Sequence, residues 1–304
     1  MKTKKIKIYD KEPSDTVSND YPVSENALGG CVVHMINGSR GSGKSYLMSK
    51  ILAQAKKEHQ YDRIYLITPS ALSNEAYFGK YIDPDDIIQP SKDAIDIVVG
   101  LVENDRDEWE QYIENMKIYK KLIEEISTYD EDVILGLYEE GFVDFKGRPE
   151  RPVWKYKYIR PPQSALILDD CLSSDAMLKS NKKHTVCSIG TYNRHLAGLQ
   201  EPHSNRSACG LSLYFLVQSY CTNQGGIPRM LREQLTHLTT FKVKQPKQYE
   251  KIREEAMNVV DGDRFDEAYE YATKEKYGNL TITFVPKKPE LMFRKNLSEL
   301  LIFD

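Results

Sequence analysis

No apolar run in this 304-residue chain reaches the ~18 residues of a membrane span, so a transmembrane segment is not expected. The basic start Met1-Lys2-Thr3-Lys4-Lys5 is not followed by an apolar stretch, so no secretory leader is expected. Cysteine is sparse and odd in number: Cys31, Cys171, Cys187, Cys209 and Cys221, with no C-x-x-C pair. That argues against a disulfide framework and for reduced thiols in a cytosol-like compartment. Cys187, His195, His203 and Cys209 are spaced too irregularly to read as a zinc site. An excess of basic charge is also missing. The net charge is −3, so any nucleic-acid surface has to be local. No internal repeat, low-complexity tract, Ser-His-Asp or Cys-His signature is present. The length allows one large domain, or one domain with an insertion.

What is present is Gly38-Ser39-Arg40-Gly41-Ser42-Gly43-Lys44-Ser45, a G-x-x-x-x-G-K-[ST] phosphate-binding loop. Glycines let successive backbone N–H groups turn toward phosphate oxygens. Lys44 supplies a point charge to the β- and γ-phosphates of ATP, and the Ser45 hydroxyl is a ligand for Mg²⁺. The flanks agree. The β-prone run Cys31–Asn37 precedes the loop, and Tyr46, Leu47, Ile51, Leu52 and Ala55 follow at helical spacing. A helix N-terminus placed there adds its dipole to the anion site.

Further short apolar runs predict strands at Arg63–Thr68, Ala165–Leu168, Leu211–Val217 and His237–Val243, as expected of a mostly parallel sheet covered by helices on both faces. We therefore expect an α/β P-loop fold with a core over 27–245. Residues 1–26 read as a polar N-terminal arm. The stretch 246–304 reads as helices followed by a β-hairpin, Leu280–Phe284 with Leu291–Phe293, packed on the core. Between about 90 and 160, Trp109, Tyr112, Ile113, Met116, Tyr119, Leu122, Ile123 and Ile126 predict a long amphipathic helix in an insertion. Thirteen acids between Glu103 and Glu140 face only Arg106, Lys117, Lys120 and Lys121, a net −9 that would repel nucleic acid. It suits a solvated helix or an acidic partner-binding arm.

The run Ala165–Leu168 ends in Asp169-Asp170, and adjacent acids closing an apolar strand need a cation or a donor network. Asp169 is the candidate Mg²⁺ ligand, through water, and Asp170 the candidate group that orients the attacking water. Gln218, closing Leu211–Val217, is a candidate contact for the γ-phosphate or that water. Arg232, or Arg229 beside it, is a candidate for reaching a neighbouring subunit's nucleotide.

Taken together, GSRGSGKS, ALILDDC, YNRH, FLVQSY and IPRMLREQ resemble the FtsK–HerA-type genome-packaging ATPases of large double-stranded DNA viruses and virophages. The resemblance spans about 27–245. It implies a RecA-like core, a homo-oligomeric ring (pentamer or hexamer) and ATP-driven movement of double-stranded DNA into a preformed capsid. Capsid or portal-vertex proteins are the implied partners. The host cytoplasm (a virus factory) or the virion is the implied location. Many members of the wider class carry glutamate where this chain has Asp170. The basic residues of Leu172–Gly210 (Lys179, Lys182, Lys183, Arg194 and Arg206, against Asp175 and Glu201) place candidate DNA contacts at Lys179, Lys182 and Lys183. The same core motifs also suit a HerA-like translocase or helicase in repair or conjugation. A small-acceptor P-loop kinase is the reading from another class.

Overall fold

The computed structural model describes residues 2–5, 28–70, 76–171, 183–203, 206–220 and 227–303. The elements are, in chain order, β1 (Lys2–Lys5), β2 (Val33–Asn37), α1 (Lys44–Lys57), β3 (Arg63–Ile67), β4 (Ile87–Ile88), α2 (Ala94–Glu125), α3 (Glu131–Glu139), β5 (Ser164–Asp169) and α4 (Val186–Tyr192). Then come β6 (Gly198–His203), β7 (Arg206–Ala208), β8 (Leu211–Val217), α5 (Arg229–Arg232), β9 (His237–Phe241), α6 (Pro246–Ala256), α7 (Gly262–Thr273), β10 (Asn279–Thr283), β11 (Phe293–Lys295) and β12 (Glu299–Ile302). No described helix is long and apolar enough to cross a membrane.

Ten strands form one sheet in the order β1-β12-β11-β10-β9-β2-β8-β5-β3-β4. From β9 to β4 every pairing is parallel, and from β1 to β9 every pairing is antiparallel. This is the α/β, RecA-like P-loop arrangement. Strands β2, β5, β8 and β9 are buried at every residue. That is why β5 and β8 read as largely apolar runs instead of alternating ones. Each large side chain buried there contributes roughly 1.5–3 kcal/mol.

The two faces carry separate cores. Ile36, Leu66, Ile167, Tyr214 and Leu216 meet Leu47, Met48, Ile51 and Leu52 of α1 on one side. Met35, Tyr65, Leu168 and Phe215 meet Val98, Val99 and Val102 of α2, Ile189 of α4, and residues of α6 and α7 on the other.

Helix α2 begins earlier than the spacing predicts. Its first turns, Ala94 to Val102, are sheet-packing core, and only the later turns project as the insertion. Trp109 holds the junction by edge-on contacts with Trp154 at 5.1 Å and His203 at 5.3 Å. The buried Asp105 carboxylate accepts from Lys155 Nζ at 2.6 Å and from the Tyr156 hydroxyl at 3.0 Å, tying the returning chain to the helix.

At the opposite edge, β1 pairs with β12, so the first residues of the predicted arm add a strand to the sheet. The hairpin of β10 and β11 forms with Leu280 opposite Lys295 and extends the sheet from β9. The stretch 246–277 forms two helices, α6 and α7, ahead of the hairpin.

Candidate nucleotide site

Parallel register brings the phosphate loop and the acids together. Asn37 at the end of β2 pairs with Val217 of β8, and Leu216 of β8 pairs with Asp169 at the end of β5. The connecting bonds continue past the strands: Gly38 N–H donates to Val217 O at 3.0 Å, and Asp170 N–H donates to Leu216 O at 3.2 Å. Strand β8 therefore lies between the loop strand and the acidic strand. At the usual strand spacing this sets Asp169 roughly 10 Å across the sheet from β2. Gln218 follows the end of β8, between the two.

The loop is built by close contact. A Cβ on Gly38 would lie 2.5 Å from Ser42 Oγ and 2.8 Å from the Phe241 ring, so only glycine fits. Gly43 caps α1 in the left-handed region at φ 105, where side chains are disfavoured. Among the described residues no side chain caps this helix end, and no acid lies in its first turn. Its free N–H groups and dipole are thus left for an anion. Ser39 O accepts from Ser42 N–H at 3.1 Å, closing the turn that carries Arg40 and Gly41 into solvent. Ser42 Oγ is buried without a hydrogen-bond partner among the described residues.

Lys44 is buried and donates through Nζ to Gly38 O at 2.9 Å. Burial pushes its pKa down, while the charges of Asp170 and Asp169 pull it back up. Both carboxylates thus lie within electrostatic reach of the loop lysine. Asp169 is buried and Asp170 is exposed. Asp170 sits at φ 50, in the left-handed region, which turns the chain sharply off the end of β5. Gln218 Nε2 donates to Asp170 Oδ2 at 3.0 Å, so the glutamine and the exposed carboxylate form one pair. Ser45 stands in the first turn of α1, partly exposed.

The other candidates lie elsewhere. Arg232 is turned inward: its Nε donates to Glu255 Oε1 at 2.9 Å and its Nη1 to Ile227 O at 2.6 Å, with the guanidinium 5.6 Å from the Tyr220 ring. The exposed guanidinium of α5 is that of Arg229, whose partner Glu233 lies one turn along the same helix at 2.8 Å. Lys183 is exposed, while Lys179 and Lys182 lie outside the described residues. Arg206 is spent on structure, donating to Pro161 O at 3.0 Å and to Cys209 O.

A cavity of about 730 Å³ opens beside the loop, and sequence reasoning did not anticipate its far wall. Tyr277, Asn296 and Ser298 line it from the turns that flank the C-terminal strands. They are more than 230 positions from the loop, and no local motif marks them.

Fold and loop define a P-loop α/β fold of the RecA-like type. No family model and no curated protein matches the sequence. Among solved structures the chain is similar to the genome packaging NTPase of Sulfolobus turreted icosahedral virus 2 in complex with ATP-gammaS. The identity is 13%, and the TM-score is 0.41 over 87% of this chain and 95% of that one. It is also similar to the monomer form of the pCW3 conjugation coupling protein TcpA, with 17% identity and TM-score 0.38 over 81% of this chain and 61% of that one. The cytoplasmic domain of the Thermomonospora curvata type VII secretion ATPase EccC matches at 17% identity and TM-score 0.38, over 88% of this chain and 26% of that one. A genome packaging NTPase is thus among the solved structures this chain is similar to, the kind of protein its motifs resemble. At these identities and scores the likeness concerns shape alone.

Proposed function

We propose that this chain is an ATP-hydrolysing DNA translocase of the FtsK–HerA type, working as a homo-oligomeric ring that moves double-stranded viral DNA into a preformed capsid. The observation that carries the hydrolytic part is the meeting of Lys44, Asp169, Asp170 and Gln218 at the ends of three adjacent strands. The packaging part is supported by the order of the sequence motifs.

In this reading the triphosphate settles on the N-terminus of α1 and Lys44 leaves Gly38 O for the phosphate oxygens. The Ser45 hydroxyl, and the Asp169 carboxylate through water, would hold the metal. Both are hard oxygen ligands of the kind that suits Mg²⁺. When bound, Mg²⁺ supplies charge neutralisation on the phosphates. Asp170, exposed and held by Gln218, accepts a hydrogen bond from the attacking water and aligns it for in-line displacement. The amide of Gln218 can follow the loss of the γ-phosphate and pass the change along β8. A small-acceptor kinase would need an acceptor site in place of this water-facing pair. An exposed arginine such as Arg229, or Arg232 once released from Glu255, would complete the site of the next subunit.

The test is phosphate release with and without long duplex DNA, over a range of protein concentrations. Asp170→Asn should lower the rate about 10²- to 10⁴-fold while leaving ATP binding in place. Lys44→Ala should abolish binding and hydrolysis together. Unchanged hydrolysis in Asp170→Asn, or transfer to nucleosides without DNA dependence, would remove this reading.

A further inference from the structure

The cavity beside the phosphate loop contains more than a triphosphate needs. Among the described residues its lining carries three lysines, Lys44, Lys50 and Lys276, and no carboxylate. It also carries two tyrosines that are more than half exposed, Tyr46 at 57% and Tyr277 at 56%. Exposed rings lining a cationic cavity fit a ligand that is both anionic and aromatic. The lysine ammonium groups already sit over these rings, Lys50 4.8 Å from the Tyr46 centroid and Lys276 5.0 Å from that of Tyr277.

Tyr277 is built into place. It sits at φ 69 in the turn between α7 and β10, and a Cβ on Gly43 would touch its ring at 3.6 Å. The ring thus stands directly against the phosphate loop, where the sugar and base of a bound nucleotide would leave it. Asn296 stands in the turn between β11 and β12 at φ 53. Its Oδ1 accepts from Asn279 N–H at 3.2 Å and from Asn279 Nδ2 at 3.0 Å. The amide is thereby oriented, with its Nδ2 donor turned away from Asn279.

We infer that the nucleobase stacks on Tyr277 and takes a hydrogen bond from Asn296 Nδ2, so that the C-terminal strands β10 to β12 recognise the base while the core holds the phosphates. This rests on the nucleotide reading proposed above. It makes the antiparallel extension of the sheet a nucleotide-sensing part of the molecule. The base links α1 and the β11–β12 turn whenever the site is filled.

The experiment separates base from phosphates by titrating the full chain with ATP and with inorganic tripolyphosphate in a calorimeter. Tyr277→Ala should weaken ATP about tenfold or more, the scale of base–aromatic stacking, and leave tripolyphosphate binding within about twofold. Tyr277→Phe should bind ATP like the wild type. Tyr277→Leu, which keeps apolar bulk, should repeat the alanine result if the alanine variant does not fold. An unchanged ATP affinity in the alanine or leucine variant, or an equal loss for both ligands, overturns the base assignment. If the wild-type chain binds neither ligand, the phosphate site itself fails and the base assignment falls with it.

Discussion

His34 on β2 and His237 on β9 lie side by side in the middle of the sheet, both fully enclosed, with ring centroids 5.6 Å apart. His34 Nε2 meets Thr239 Oγ1 at 2.8 Å, and His237 Nδ1 meets Thr236 Oγ1 at 2.9 Å. No carboxylate is among the groups that shift them. Burial lowers the pKa of His237 to about 3, with the Arg294 charge adding to the effect. Burial and the neighbouring His237 hold His34 well below its ordinary value. His237 is therefore neutral in the folded chain at pH 5, and His34 is shifted the same way, whereas in the unfolded chain both bind protons below about 6.5. Stability is fully present above that value and is lost as pH falls toward the folded pKa. For His237 alone the loss between pH 7 and pH 5 is about 2 kcal/mol, and His34 adds a loss of the same sign. Denaturant unfolding at constant ionic strength, at pH 7, 6 and 5, measures it. Because carboxylates also titrate at the acid end, the comparison is with His237→Gln, which cannot protonate there. The wild type should lose about 2 kcal/mol more than this variant over the interval. Parallel profiles for the two proteins would refute the assignment of a neutral, buried His237.

The two arginines of α5 should separate cleanly in the same assay. Arg232→Ala removes the cation from a mostly buried pair with Glu255 and should cost about 3 kcal/mol, while Arg229→Ala should stay within about 0.5 kcal/mol. A neutral Arg232→Ala would mean that its ion pair does not stabilise the fold. Gly38→Ala should strain the loop by roughly 1–3 kcal/mol and weaken ATP binding, since the new methyl meets Ser42 and Phe241. Wild-type affinity in that variant would show that the loop can shift to make room.

The strands around the site were legible because burial on both faces writes itself locally as a short apolar run. Leu211–Val217 was read with the bounds the structure has, and the loop with its flanks is contiguous in the chain. The start of α2 was not legible. Ala94–Val102 packs against strands that lie far away in sequence, and its apolar residues look like those of any amphipathic helix. Arg229 and Arg232 are equally plausible in sequence. What distinguishes them is Glu255 on α6, placed against α5 by folding. Likewise, nothing near Tyr277 or Asn296 in the chain signals a ligand, because their role depends on a hairpin turning back toward α1.

The sequence by itself determined the chemistry available: a glycine-rich loop ending in Lys44 and Ser45, two acids closing an apolar strand, and a glutamine closing another. Those properties follow from nearest neighbours along the chain, where turn, helix and strand preferences act. Tertiary structure alone decided that β8 stands between β2 and β5, which couples Gln218 to Asp170 and sets the spacing between the loop strand and the acidic strand. It also decided which arginine faces outward and which residues form the wall beside the loop. Strand order and side-chain pairing are settled by long-range packing and hydrogen bonding, which no local run of residues records.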